Sequence, residues 1–192
     1  MSLKSFLLMT FTAFFFSCAE SEADKKAREN LLVQGHSDAE IQKFVAKNKT
    51  IPVEETNFFG IELGAPLSKY ETLITKGRIR VEEGIIEVYN IEQGGVEIGY
   101  LLPDSSNSEL VGNIFIQSPK AVTSDGFKIG TTFKEIVTKY PTVEINNTEV
   151  ESRTIAKIGN IYYHLDFASN KLELNRNNIP ETAKVVEIRI GN

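Results

Sequence analysis

Few residues in this chain can carry out chemistry. Its 192 residues include two His, one Cys and no Trp. His164 and Asp166 stand two apart in the alternating stretch Ile161 to Phe167, so on a strand they would share a face. An imidazole beside a carboxylate can seed a metal site or an acid–base pair. The sequence shows no third ligand, and the spacing reads first as a surface pair on a sheet. Gly126 to Thr132 places glycines before a helix start, where N–H groups could hold an anion. It lacks the Lys and the spacing of a phosphate loop, so the glycines read as turn and cap. Ser124-Asp125-Gly126 is a turn signal with no partner His. The doublets Glu54-Glu55 and Glu82-Glu83 lack the pattern of a calcium loop. Two His and one Cys are also too few for an ordinary zinc site. No catalytic residue, metal or cofactor is assigned.

Cys18 is the remaining reactive group. A single Cys excludes a disulfide framework within one chain. It follows the apolar run Phe6 to Phe16, which only Thr10 and Thr12 interrupt and only Lys4 precedes with a charge. Eleven residues as a helix span about 16 Å, roughly half a bilayer core, which argues against a permanent transmembrane helix. A basic start, an apolar run and a small residue before a cleavage point describe a secretory signal. The sequence Phe15-Phe16-Ser17-Cys18 resembles a bacterial lipoprotein lipobox, in the looser Phe-rich form of spirochaetes and Bacteroidetes. That resemblance implies removal of residues 1–17 as a signal peptide, acylation of Cys18 (palmitate or a similar chain), and anchoring in the bacterial cell envelope. Two or three acyl chains at about 0.8 kcal/mol per buried CH₂ hold a protein on a membrane. Glu20, Glu22 and Asp24 stand where related lipoproteins carry sorting signals, and either membrane remains open.

Charge narrows the partners. Twenty-one Lys and Arg against 26 Asp and Glu give a net charge of −5, and no basic stripe is present. Phosphate neutralisation supplies most non-specific affinity for nucleic acid, so a nucleic-acid partner is not expected. The 41% hydrophobic and 24% charged composition excludes a disordered chain, a collagen-like fibre and a polytopic membrane protein.

The elements that would position these residues fall in three parts: a signal over 1–17, a tether and helical hairpin over 18–50, and a main domain over 51–192. Ala23 to Gln34 is rich in helix formers and Gly35 suits the position after a helix. Ser37-Asp38-Ala39-Glu40 matches a capping box before Ile41, Phe44 and Val45. In the main domain Gly60 to Leu67 lines up with Gly126 to Phe133 at an offset of 66, each pattern reading as a strand followed by a helix, the first with Leu67, Tyr70 and Ile74 as its apolar face and Gly77 as its stop. Gly94 to Tyr100 lines up with Gly159 to Leu165, and Val111 to Ile116 with Val185 to Ile190. The expected fold is α+β: two tandem repeats, about 58–117 and 124–192, each a helix packed on three or four antiparallel strands. Alternation then puts Val96, Ile98, Tyr100 and Leu102 inward, with Ile161, Tyr163, Leu165 and Phe167. The other face carries Glu97, Leu101, Phe115, Tyr162, His164, Asp166, Glu187 and Arg189.

A glycine-rich entry followed by antiparallel strands, twice over, resembles the tandem fold of the beta-lactamase-inhibitor protein and the unit of small outer-membrane-assembly lipoproteins. Ser118 to Gly126 with Gly130-Thr131-Thr132 resembles uncharacterised envelope-stress-regulated lipoproteins of Gram-negative bacteria. These resemblances imply a binding or envelope-maintenance role with no catalytic residues. Ala39 to Asn48 is similar to the segment before the catalytic domain of FK506-binding-type lipoprotein prolyl isomerases, without the aromatic pocket that follows there. The reading is a membrane-anchored envelope lipoprotein that binds a protein or envelope component. The candidate face is Phe115, Tyr162, His164, Asp166 and Arg189, since aromatic residues and Arg concentrate binding energy. The alternative is an envelope enzyme, a degenerate prolyl isomerase or a hydrolase.

Overall fold

Alternating β-branched and polar residues fill most of the chain after Thr50, and in the computed structural model that stretch is mainly strand. The structure describes residues 37, 49–81, 84–147, 153–169, 174 and 176–191. Cys18 and the expected signal lie outside the described residues, as does nearly all of the expected hairpin. Residues from Thr50 onward form a unit of their own.

The described residues hold twelve strands. They are β1 (Ile51–Val53), β2 (Asn57–Phe58), β3 (Ile61–Glu62), β4 (Ile74–Val81), β5 (Gly84–Gln93) and β6 (Val96–Pro103). After them come β7 (Val111–Ile116), β8 (Ala121–Thr123), β9 (Glu144–Asn147), β10 (Arg153–Ile158), β11 (Ile161–Ala168) and β12 (Val185–Ile190). One α-helix, α1 (Phe133–Lys139), precedes β9. The large sheet is antiparallel throughout, with the order β4-β5-β6-β7-β12-β11-β10-β9. A smaller sheet has the order β3-β2-β1-β8, closed by the parallel pair β1–β8.

This architecture corrects the expected α+β fold of two helix-on-strand repeats. The chain is mostly β, with one helix among the described residues and a continuous eight-stranded sheet. The segment after Gly64, expected as a helix, is a four-residue 3-10 turn, Leu67–Tyr70. Its Leu67 and Tyr70 are buried at the three-residue spacing that one such turn stacks. Ile74, which extended the apparent helical face, instead begins β4. No side chain caps the turn at Pro66. The helix after Gly130 forms because its cap is complete: Thr132 Oγ1 accepts from the Glu135 N–H at 3.3 Å, and Glu135 Oε2 accepts from the Thr132 N–H at 2.7 Å.

The core lies between one face of the large sheet and a cover made of the small sheet, the 3-10 turn and α1. Ile114, Ile116, Ile188 and Ile190 from the sheet meet Phe58, Ile61, Phe133 and Ile136 from the cover, all almost fully buried. Burying such side chains contributes about 1.5–3 kcal/mol each.

Two bulges re-aim side chains across this sheet. In β6 both Ile98 and Leu101 reach the core, which strict alternation forbids, while Val96 is 64% exposed. The bulge is at Ile98–Gly99, with Ile98 skipped in the pairing to β5, and the N–H groups of Gln117 and Ser118 both donate to the Ile98 carbonyl, at 3.0 and 3.1 Å. Tyr100 and Leu102 therefore leave the core face expected for them, and Leu101 joins it. In β12 both Val185 and Ile188 are core, Val186 bulges out, and Glu187 turns to the far face opposite His164. A Cβ at Gly99 would collide with the carbonyl oxygen of Phe115. Gly99→Ala is expected to destabilise by about 1–3 kcal/mol, the cost of an overpacked site, read as a lower urea midpoint at unchanged m-value. An unchanged midpoint would show that the bulge is not held by this contact.

Candidate binding cleft

The face of the large sheet turned away from the core carries two cross-strand rows. The first runs in register through Lys157, Tyr162, Arg189, Phe115 and Tyr100. Arg189 lies over Tyr162, its Cζ 3.9 Å from the ring centroid, and Lys157 Nζ is 5.2 Å from the same centroid. Phe115 and Tyr100 stack at 4.7 Å with planes 6° apart. Such pairs each contribute up to about 1 kcal/mol. The second row runs through Ile155, His164 and Glu187, and Gln117 Nε2 donates to Glu187 Oε2 at 2.9 Å. Glu187 Oε1 lies 3.7 Å from His164 Nδ1 and 3.9 Å from Arg153 Nη1.

These rows floor a cavity of about 650 Å³. Its lining draws on seven of the eight strands, from Ile79 on β4 to Arg153 on β10. Six strand spacings laid flat would measure about 29 Å. A cavity of this volume can touch both ends only because the sheet curls around it. The two walls differ. Strands β4 to β7 supply Ile79, Val81, Ile86, Tyr100, Leu102 and Phe115; strands β10 to β12 supply Arg153, Ile155, His164, Glu187 and Arg189. Arg80, also on β4, and Gln117, just after β7, complete the lining.

Burial governs the electrostatics here. His164 is 6% exposed, and burial, aided by the Arg189 and Arg153 guanidinium groups, lowers its pKa to about 4. The Glu187 carboxylate favours the charged ring, but Gln117 and Arg153 already share that carboxylate, and the neutral imidazole wins. Burial also lowers the pKa of Arg189, against the pull of Tyr162 and Glu187; a guanidinium nonetheless stays charged. Both ring nitrogens of His164 and the Nε of Arg189 are buried without a hydrogen-bond partner among the described residues. Each such group carries a desolvation cost of about 1–3 kcal/mol.

The structure brings together Phe115, His164 and Arg189 in the cavity lining, with Tyr162 beside them under Arg189. Asp166 stands apart, exposed near the end of β11. Its Oδ1 accepts from the Lys184 N–H at 2.6 Å, and its own N–H donates to the Lys184 carbonyl at 2.9 Å. Its role is to hold the chain entering β12, and it forms no dyad with His164. Sequence reasoning missed Tyr100, Gln117 and Arg153 as site residues. Gln117 continues the alternation of Phe115 and could have been found that way. Tyr100 is hidden by the bulge at Gly99.

Among the described residues no serine, threonine or cysteine lines the cavity, and no group of three His, Cys, Asp or Glu is placed to hold a metal ion. A second hollow of about 520 Å³ lies beside the 3-10 turn, between Glu71, Lys76 and Glu109. None of its lining groups is a buried polar atom lacking a partner.

No protein-family model matches the chain, and no curated protein matches it. Among solved structures, the crystal structure of the uncharacterized protein yfeY from Escherichia coli is similar over 75% of this chain and 100% of that chain. The TM-score is 0.50 and the identity 14%. At that identity the likeness is one of fold alone.

Proposed function

We propose that this chain is a non-enzymatic binding protein of the bacterial cell envelope, anchored to a membrane by acyl groups on Cys18, and that the curled face of its large sheet holds a protein or envelope component. The observation that carries the binding role is the cleft itself, a concave surface with an aromatic wall facing buried polar groups that nothing else in the described chain satisfies. Ligand sites have this character: mostly apolar, with a few placed polar groups. A hydrolase reading finds no serine, threonine or cysteine among the described lining residues, and an imidazole titrating near pH 4 is a poor general base at neutral pH. The anchoring role is supported by the leader and its terminal Cys18.

Two experiments test the two halves. Labelled palmitate should enter the wild-type protein in its host and fail to enter Cys18→Ser; equal labelling of both ends the anchoring reading. Solubilised envelope passed over the immobilised domain should leave a bound component that Phe115→Ala with Arg189→Ala no longer retains, the circular dichroism being unchanged. Equal retention by a folded double variant removes the cleft as the binding surface.

A further inference from the structure

The geometry points to a ligand class for the cleft: an amphipathic anion, its carboxylate head against Arg189 and His164 and its apolar body along Phe115, Tyr100 and the β4–β5 arm. This rests on the cleft being the binding surface. Three observations carry it.

The first is the division of the lining. Of the seven apolar and aromatic lining residues, six come from β4 to β7 and only Ile155 from β10, whereas three of the four charged side chains come from β10 and β12, with Arg80 on β4 the fourth. A uniformly polar solute would waste the first wall and a hydrocarbon would leave the second unpaired. The meeting line of the walls is the β7–β12 pair, where Phe115 stands directly opposite Arg189. A ligand crossing that line must change from apolar to polar over about one strand spacing, near 4.8 Å.

The second observation is the unmet hydrogen-bonding capacity. His164 is 6% exposed, lines the cavity and has neither ring nitrogen paired among the described residues. Arg189 Nε is in the same condition. A neutral imidazole carries one N–H and the Arg189 Nε carries another. The two donors occupy diagonal positions on the adjacent strands β11 and β12, and a charge-assisted bond from such a donor to a carboxylate is the strong form.

The third is the sign of the charge. Arg80, Arg153 and Arg189 line the cavity against the single carboxylate of Glu187, within a chain of net charge −5. Glu187 is already engaged by Gln117 at 2.9 Å. The local surplus is positive where the whole chain is negative, so the cleft selects an anion that the rest of the surface repels.

The test is calorimetric binding of dodecanoate, dodecanol and dodecylammonium below their aggregation concentrations. The wild type should bind dodecanoate at least tenfold more tightly than dodecanol, with no detectable dodecylammonium binding. Arg189→Gln should weaken dodecanoate at least tenfold and leave dodecanol unchanged, and Phe115→Ala should weaken both. Arg80→Gln, an exposed change that does not threaten the fold, should weaken dodecanoate about threefold. Equal wild-type affinity for acid and alcohol overturns the head-group assignment while leaving the cleft as a binding surface. The ligand class also falls, and the cleft stands, if no amphiphile binds but envelope capture still depends on Phe115. If Phe115→Ala changes neither amphiphile binding nor capture, the cleft reading and the ligand class fail together.

Discussion

Tyr163→Ala is expected to remove about 3–5 kcal/mol of stability, while Tyr162→Ala, one residue earlier, removes about 1 kcal/mol. The two rings point to opposite faces of β11. Tyr163 has no exposed surface, meets Phe127 edge-on at 5.6 Å and brings its hydroxyl within 3.4 Å of Thr123 Oγ1. Burial pushes its pKa up to about 12, so the phenol stays neutral through the range in which the protein folds. Truncation leaves a ring-sized void between the large sheet and β8, and voids of that kind account for the largest losses in packed cores. Tyr162 is half-buried and packs under Arg189, a stacking worth about 0.5–2 kcal/mol. Urea denaturation of both variants checks the contrast. Comparable losses in the two would mean that the cleft face is packed as a core and holds no ligand.

That contrast also shows what the sequence made legible. Ile161, Tyr163 and Leu165 read as core from alternation alone, and they are core, because β11 keeps its period of two from Ile161 to Leu165. The same rule failed on β6. Its pleat is interrupted at Gly99, and a bulge there depends on the approach of the Phe115 carbonyl from a neighbouring strand, a contact that no local pattern encodes. The helix expected over Leu67 to Ile74 failed for a related reason. Three apolar residues at helical spacing are equally served by a 3-10 turn running into a strand, and the difference lies in the β4–β5 pairing. That pairing covers Ile74 to Val81 against Gly84 to Ile91. The candidate residues fared according to burial. Phe115, Tyr162 and Arg189 lie on the face away from the core, where alternation put them, because the strands around them keep their period of two. His164 lies on that face too, but buried, where the spacing read it as a surface group. That it lies on the floor of a cavity follows from the curl of the sheet, which joins strands distant in sequence and leaves no periodicity behind. Asp166 was grouped with it by spacing, and the bond to the Lys184 backbone takes it elsewhere.

His164 should also make the fold acid-sensitive in a window of its own. Its pKa is about 4 in the folded protein against about 6.5 for an unperturbed imidazole. Above pH 6.5 both states are neutral and the group costs nothing. As the pH falls below 6.5 the unfolded chain takes up a proton that the folded chain does not, so stability declines. The decline continues until the folded imidazole titrates near pH 4. At about 1.36 kcal/mol per unit the full span amounts to about 3 kcal/mol, of which about 2 kcal/mol is lost by pH 5. The carboxylates held low by their partners act in the other part of the scale. Hydrogen bonds to Asp125 from Lys139 and Tyr140, and to Glu135 from Thr132, lower their pKa values. Their contribution is present above the usual carboxylate range and is lost only as the pH drops through it. Unfolding free energies measured at pH 7.5 and pH 5 should therefore differ by about 2 kcal/mol more in the wild type than in His164→Gln, which keeps a polar group in the same place. The groups facing His164 decide the result: Glu187 pulls toward the charged ring, Arg189 and Arg153 push against it, and burial adds to the push. A wild type and variant with the same pH dependence would show that Glu187 offsets the burial and the arginines, so that the folded imidazole titrates like a free one and is charged at pH 5. The cleft would then carry one more positive charge than the neutral ring gives it.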